Sequence, residues 1–250
     1  MMILGIYNIK GGVGKTATSV NLAYLGAKNG FKTLIWDLDP QGASTFYFRV
    51  KNKIKGSTKK LIAKKNEVIE ESIKETDFEN LDIMPSTFSY RYFDILLNNQ
   101  KKSQKILSAM LKPLINEYDL IILDSPPNIT LIAENIFKAS DLLLVPTIPT
   151  TLSIRTYNQL LEFLDEHDIE TKITTFFSMV DKNRKLHDKV IEVLEKEGEN
   201  ILKTKIPYSA DIENMGIYRM PVGAFNEKCE AYFSYIKLFK ELMEKFDIVK

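Results

Sequence analysis

Ile6-Tyr7-Asn8-Ile9-Lys10-Gly11-Gly12-Val13-Gly14-Lys15-Thr16 is the stretch on which the fold turns. A short apolar run near 2–8 leads into it and a stretch of helical spacing near 15–29 leaves it, with Gly30 as the stop. The glycines therefore sit at a strand-to-helix turn, the context that a phosphate-binding loop requires. Gly11, Gly12 and Gly14 let successive backbone N–H groups face inward toward phosphate oxygens. Lys15 would add charge at the β- and γ-phosphates, and Thr16 a hydroxyl where Mg²⁺ is held. A plain glycine-rich turn followed by a chance Lys-Thr explains the string less well, because every element of the loop stands in order.

Outward from this loop, apolar runs of strand length alternate with stretches of helical spacing. Strands are expected near 32–37, 81–84, 119–124, 141–146, 173–179 and 202–206. Helices are expected near 66–75, 101–116, 130–138, 153–167, 184–196 and 226–246. Buried strands joined by crossover helices give an α/β fold with a doubly wound, mostly parallel sheet of the P-loop NTPase type. No linker interrupts the pattern, so residues 1–250 are expected to form a single domain.

Composition narrows the choice. With 250 residues and 44% hydrophobic content the chain can bury a core, which excludes dominant disorder. Lys+Arg 34 against Asp+Glu 33 leaves a formal net charge of +1, so any nucleic-acid contact must come from a local patch. Cys229 is the single cysteine, and with only His167 and His187 beside it one chain has no soft ligand set for zinc or an iron–sulfur centre. The longest apolar runs, Leu120–Leu123 and Leu142–Val145, fall far short of the roughly 20 residues that span a bilayer. With no targeting segment, a cytoplasmic location is expected.

Charge is sorted between 49 and 79. Arg49, Lys51, Lys53, Lys55, Lys59, Lys60, Lys64 and Lys65 precede Glu67, Glu70, Glu71, Glu75, Asp77 and Glu79. A solvated helical insertion whose halves partly neutralise each other is the expectation here, in preference to a nucleic-acid tail.

Two further strand ends carry acids. In Leu34-Ile35-Trp36-Asp37-Leu38-Asp39-Pro40-Gln41-Gly42 the i, i+2 spacing sends both carboxylates to one face. Either acid could merely cap the helix that follows; both doing only that is a poorer account. Tyr118-Asp119-Leu120-Ile121-Ile122-Leu123-Asp124-Ser125-Pro126-Pro127 delivers Asp124 to the carboxyl edge of the sheet.

The strict pattern G-x-x-x-x-G-K-S/T fails at its first glycine, where Ile9 stands, and Lys10 supplies a second lysine. The string KGGVGKT, followed by Asn21-Leu22-Ala23, resembles the deviant Walker A motif of the ParA/MinD/nitrogenase-iron-protein superfamily. D-x-D-P-Q-G and the Asp124 strand with its D-x-P-P turn resemble that group's second and third signatures. The likeness runs from Met2 to about Asp247. It implies an ATPase in which Lys10 reaches across a nucleotide-sandwich homodimer to the neighbour's phosphates, beside Lys15 in its own site. It also implies that Asp39 orients the attacking water, that Asp37 lies near the metal and that Asp124 holds Mg²⁺ through water. Ala17 replaces a frequent second Thr, keeping its backbone N–H for the α-phosphate while losing a hydroxyl contact. Pro207, in Ile206-Pro207-Tyr208-Ser209, falls where the adenine is usually flanked, although it could equally end a strand.

Within the superfamily the nitrogenase branch is excluded, since Cys229 cannot supply two cluster ligands per chain. A MinD-like membrane ATPase is the alternative, and it would use a C-terminal amphipathic helix. Tyr232, Tyr235, Ile236, Phe239, Leu242, Met243 and Phe246 do form a stripe, but the opposite face is mixed in sign, so a helix packed on its own sheet and no membrane partner are expected. ParA-like members bind DNA without sequence preference. Lys182, Arg184, Lys185 and Lys189 are the candidate contacts, with Lys203, Lys205, Arg219 and Lys228 contributing. The resemblance thus implies ATP, Mg²⁺, nucleoid DNA and a ParB-like or other cargo adaptor as ligands and partners. Cargo would be a chromosome or plasmid locus or a large protein assembly. A nucleotide-gated scaffold with negligible turnover is a third possibility, opposed by the intact Asp39. No N-terminal helix-turn-helix region is expected, because the loop begins at residue 10.

Overall fold

The computed structural model describes residues 1–63, 66–197 and 200–248; Lys64 and Lys65 of the basic stretch lie outside the described residues. Its strands are β1 (Met2–Ile6), β2 (Thr33–Asp37), β3 (Lys74–Glu75), β4 (Leu81–Met84), β5 (Leu120–Asp124), β6 (Leu142–Thr147), β7 (Lys172–Val180) and β8 (Ile201–Pro207). They form one sheet in the order β3-β4-β2-β5-β1-β6-β7-β8, parallel throughout except for edge strand β3, which runs antiparallel to β4. The helices are α1 (Lys15–Lys28), α2 (Ala43–Tyr47), α3 (Thr58–Ile62), α4 (Asn66–Ser72), α5 (Phe93–Asn98), α6 (Ile106–Leu111), α7 (Leu131–Ala139), α8 (Thr151–Glu166), α9 (Lys185–Glu197), α10 (Ala210–Tyr218), α11 (Val222–Phe225) and α12 (Glu230–Lys245).

Every residue of β2 and β5 is buried, which an all-parallel core demands of strands covered on both faces. On one face Trp36, Phe93, Leu107, Phe137 and Leu160 form a layer under α5, α6, α7 and α8. On the other, Ile35, Val20, Leu22, Tyr235 and Leu238 form a layer under α1 and α12. The stripe of α12 is thereby buried within its own chain, with Tyr232, Tyr235, Phe239 and Leu242 all 5% exposed or less. Among the described residues no helix is long and apolar enough to cross a membrane.

Several boundaries depart from the sequence expectation. The helix expected over 66–75 stops at Ser72, and residues 74–75 turn into β3. The stretch 101–116 is broken into a 3₁₀ turn at Ser103–Lys105, α6, and a second turn at Lys112–Leu114, where Pro113 withholds a backbone donor. The last helix starts at Glu230, not 226, because Asn226 still ends α11. Residues 208–225, for which no element is expected, hold α10 and α11. Short helices carry too few turns to display a period, so spacing alone misses them.

Strand order positions the site. From β1 the chain runs outward through β2 to β3 and β4 at one edge, returns to β5 between β2 and β1, then crosses to β6 on the other side of β1. In open α/β sheets ligands bind at the carboxyl ends where the direction reverses, and the loop of residues 6–16 leaves β1 at that edge.

Asn135 illustrates what holds the α6–α7 layer. Fully buried, its Oδ1 accepts from the backbone N–H of Ile106 (3.0 Å) and Leu107 (3.1 Å), and its Nδ2 donates to Ser103 O and Leu131 O, each at 2.8 Å. Asn135→Ala should lower the unfolding free energy in urea by about 2–4 kcal/mol, because it strands two buried donors. A loss under about 0.5 kcal/mol would show that these donors find other partners.

Candidate nucleotide-binding site

Conformation at the glycine loop explains its composition. Gly12 (φ +71) and Gly14 (φ +90) occupy the left-handed region, and a Cβ on Gly14 would fall 2.9 Å from Ser178 Oγ in β7. Val13 anchors the loop by burial. Asn8 ties it to β6, donating from Nδ2 to Pro146 O (2.8 Å) while its Oδ1 accepts from Lys10 N (2.9 Å). Lys15 opens α1 with its ammonium inside the loop, donating to Asn8 O (3.1 Å) and Lys10 O (2.7 Å). Thr16 and Ala17 follow, both half-buried.

Lys10 behaves differently. Its Nζ does not enter the loop but reaches Ser153 Oγ (3.4 Å) in the first turn of α8, where Thr150 caps the helix. Ser153 gives no motif in the sequence, so this partner was invisible there.

The paired strands β2 and β5 set Asp37 directly beside Asp124, and both side chains are fully buried. Asp37 Oδ2 accepts from the backbone N–H (2.8 Å) and hydroxyl (2.6 Å) of Thr45. Asp124 accepts from Ser19 Oγ (3.0 Å) on one oxygen and Ser44 Oγ (2.7 Å) on the other. Asp39, half-buried, accepts from Gln41 N (2.8 Å), and its carbonyl accepts from Ser86 Oγ (2.5 Å). Consecutive residues of α2, Ser44 and Thr45, thus grip the two buried carboxylates. Sequence reasoning passed over Ser19, Ser44, Thr45 and Ser86; the one available signal was a Ser-Thr pair just after D-x-D-P-Q-G. Asp37 and Asp39 do bond residues of the turn and first turn of α2, as the capping reading allowed, yet the Asp39 charge also acts on Lys15.

Burial fixes the electrostatics. It pushes the Asp37 carboxyl up, the neighbouring Asp124 charge adds to this, and the Thr45 hydrogen bonds oppose it. Burial likewise raises Asp124, against hydrogen bonds from Ser44, Ser19 and Thr16. It lowers the Lys15 ammonium, which the Asp124 and Asp39 charges counteract. The charges of Asp124 and Asp39 therefore act on one lysine, and beside them Asp37 Oδ1 is buried without a partner. This surplus of hard oxygen donors fits a divalent cation such as Mg²⁺. Among the described residues no three His, Cys, Asp or Glu side chains converge as a metal cage, in keeping with an ion that keeps waters and phosphate oxygens as ligands. Thr16, Asp37 and Asp124 are the residues that would hold it.

The remaining candidates lie elsewhere. Pro207 ends edge strand β8, in register with Val180 of β7, on the same carboxyl edge but three strands from β1. Lys182, Arg184, Lys185 and Lys189 lead into and line α9, outside the loop. Lys182 pairs with Glu230 (2.6 Å) and Arg184 with Asp181 (3.3 Å).

A raised carboxyl pKa in the folded chain sets the sign of a pH effect. Above the ordinary carboxylate range, about pH 4, the unfolded chain releases protons that folded Asp37 and Asp124 retain, so stability falls as pH rises toward their folded values. In metal-free buffer the wild-type unfolding free energy should drop from pH 5 to pH 8 more steeply than that of Asp37→Asn. Equal slopes would contradict the burial effect.

Comparison with known proteins agrees with this geometry. Residues 1–179 match the family described as AAA domain. The sporulation initiation inhibitor protein Soj of Bacillus subtilis is 30% identical over 247 residues, covering 96% of this chain and 97% of that protein. The chromosome partitioning protein ParA of Myxococcus xanthus is 28% identical, covering 97% and 88%. A plasmid partition protein of Borrelia burgdorferi, solved with AMPPNP bound, superposes with a TM-score of 0.82 at 24% identity, covering 98% of each chain, a likeness of fold. The glycine loop with its second lysine, the aspartates gathered behind it and the full-length match to Soj place this chain in the AAA-domain family, among the ParA-type partition ATPases.

Proposed function

We propose that this chain is a cytoplasmic, nucleoid-associated ATPase that dimerises on ATP, binds DNA without sequence preference and positions a cargo through an adaptor of the ParB kind. The observation that carries the reading is the division of labour between two lysines. Lys15 lies in the loop of its own chain, whereas Lys10 reaches away from it toward α8, which leaves Lys10 to serve a second copy's triphosphate. An ammonium delivered in trans completes the site only when two chains meet, so nucleotide state and dimerisation become one equilibrium.

Within the dimer, backbone N–H groups of residues 11–17 bind the phosphates and Lys15 offsets their charge. Asp39 orients the attacking water, because phosphoryl transfer depends mainly on positioning and charge stabilisation. Thr16, Asp37 and Asp124 would hold Mg²⁺, whose chemistry when bound would be charge neutralisation during phosphoryl transfer. Pro207 would border the adenine. Hydrolysis is slow until the adaptor stimulates it and then releases the dimer from DNA, a switch whose two states differ in γ-phosphate contacts.

DNA contact is assigned to phosphates, so affinity should fall steeply with salt and ignore sequence. In the α9 group, Lys185 and Lys189 have no ion pair among the described residues, while Lys182 and Arg184 are partly neutralised by Glu230 and Asp181.

Two variants test this function. Lys10→Ala should bind ATP nearly as tightly as the wild type but lose ATP-driven dimerisation in light scattering, along with at least tenfold in turnover; unchanged self-association and turnover would remove the trans role. Asp39→Ala should stay dimeric and DNA-bound after ATP addition for many times the wild-type lifetime. Rapid phosphate release by that variant would take Asp39 out of the mechanism.

A further inference from the structure

Residues 49–60 read Arg49-Val50-Lys51-Asn52-Lys53-Ile54-Lys55-Gly56-Ser57-Thr58-Lys59-Lys60, six cations with no acid among them. The acids of 67–79 suggest mutual neutralisation, and the structure permits only part of it. Arg49 meets Asp77 at 3.3 Å and Lys55 meets Glu71 at 3.5 Å, both in solvent. Lys51, Lys53, Lys59 and Lys60 are exposed and make no ion pair among the described residues. At the α9 edge, by comparison, Lys182, Arg184 and Lys205 are each paired with an acid, leaving Lys185 and Lys189 of the α9 group without an ion pair among the described residues.

The backbone under these lysines is fixed. Ile54 and Leu61 are buried in the core, Lys55 N donates to Ser72 Oγ (2.9 Å), and the Thr58 and Ser89 hydroxyls are 2.6 Å apart. With Ile54 buried, Lys51, Lys53 and Lys55 stand exposed at alternate positions beside a groove of about 400 Å³ that also borders Lys74 and the acids Glu71 and Glu75, so the lysines outnumber the acids there four to two. Neighbours in that alternation are at most about 7 Å apart at the backbone, within the screening length of about 8 Å at physiological salt, so their potentials add.

The segment is also mounted on the site. A Cβ on Gly42 would lie 2.3 Å from Asn52 Nδ2, so Asn52 packs directly on the turn that carries Asp39. At the start of the segment Arg49 donates to Arg219 O (3.2 Å) and Tyr218 O (3.3 Å), bracing it against α10.

We propose that residues 49–60 form the principal phosphate-contacting surface for duplex DNA, at the sheet edge opposite α9 and seated on the turn bearing Asp39. This rests on the DNA-binding part of the proposed function. Compact ammonium charges on flexible stems suit sequence-independent contact with a phosphate backbone.

The test is fluorescence anisotropy of a labelled random-sequence duplex, with a non-hydrolysable ATP analogue and Mg²⁺, across 50–200 mM KCl. The wild type is compared with a fourfold Lys→Glu variant at 51, 53, 59 and 60, the same positions as Lys→Gln, and a Lys185→Glu, Lys189→Glu variant. The Lys→Gln set should reduce the slope of log K against log salt by about 3–4, roughly 0.9 per phosphate contact. It should lose at least tenfold in affinity with analogue binding and self-association intact, and Lys→Glu should lose more. The α9 pair should lower the slope by less than about 2. If the charge-reversed variant fails to bind the analogue, the neutral Lys→Gln set decides. Wild-type affinity and slope in the Lys→Gln set would overturn the surface while DNA binding stands, as would abolition of binding by the α9 pair alone. A wild type that binds no DNA would overturn the DNA reading itself, and this surface with it.

Discussion

Two aspartates with no water around them, side by side at the ends of adjacent strands, set the terms for this molecule. Parallel pairing of β2 and β5 places Asp37 against Asp124 in a fully buried position, where like charges are mutually unfavourable and each is poorly solvated. The chain answers with hydroxyls: Thr45 on Asp37, Ser19 and Ser44 on Asp124. Those bonds moderate the cost without removing it, since Asp37 Oδ1 is left unpaired. A site built this way has a standing attraction for cations, and the nearest resident one, Lys15, is engaged with carbonyls of its own loop.

That arrangement links elements far apart in sequence. Helix α2 holds both carboxylates through consecutive residues, so it cannot shift without disturbing the pair. The turn before it carries Asp39, the segment after it carries the unpaired lysines of 51–60, and Arg219 stacks over Phe46 at its end, 4.4 Å from the ring centroid. Chemistry at the phosphate site and contacts at the sheet edge therefore share one short helix.

Much of this was legible in the sequence because the relevant signals are local. A strand, a glycine turn and a helix within 28 residues identify the phosphate loop, and apolar strands ending in Asp place Asp37 and Asp124 on the carboxyl edge. What escaped was relational. Nothing in the order of residues says that Ser19 and Ser44, 25 positions apart, converge on Asp124, or that Lys10 finds Ser153 across 143 positions. The short helices α2, α10 and α11 lack a readable period, and Pro113 divided a segment whose apolar spacing continued through it. The charge-sorted stretch was visible but its balance was not, since only a fold decides which lysines reach a carboxylate.

The trans role proposed for Lys10 requires triphosphate binding to draw two copies together. The most direct measurement is the sedimentation-equilibrium mass of the purified chain with Mg²⁺ and either ADP or a non-hydrolysable ATP analogue. The account predicts the monomer mass of 28.7 kDa with ADP and twice that mass with the analogue. A monomer mass with saturating analogue would contradict it.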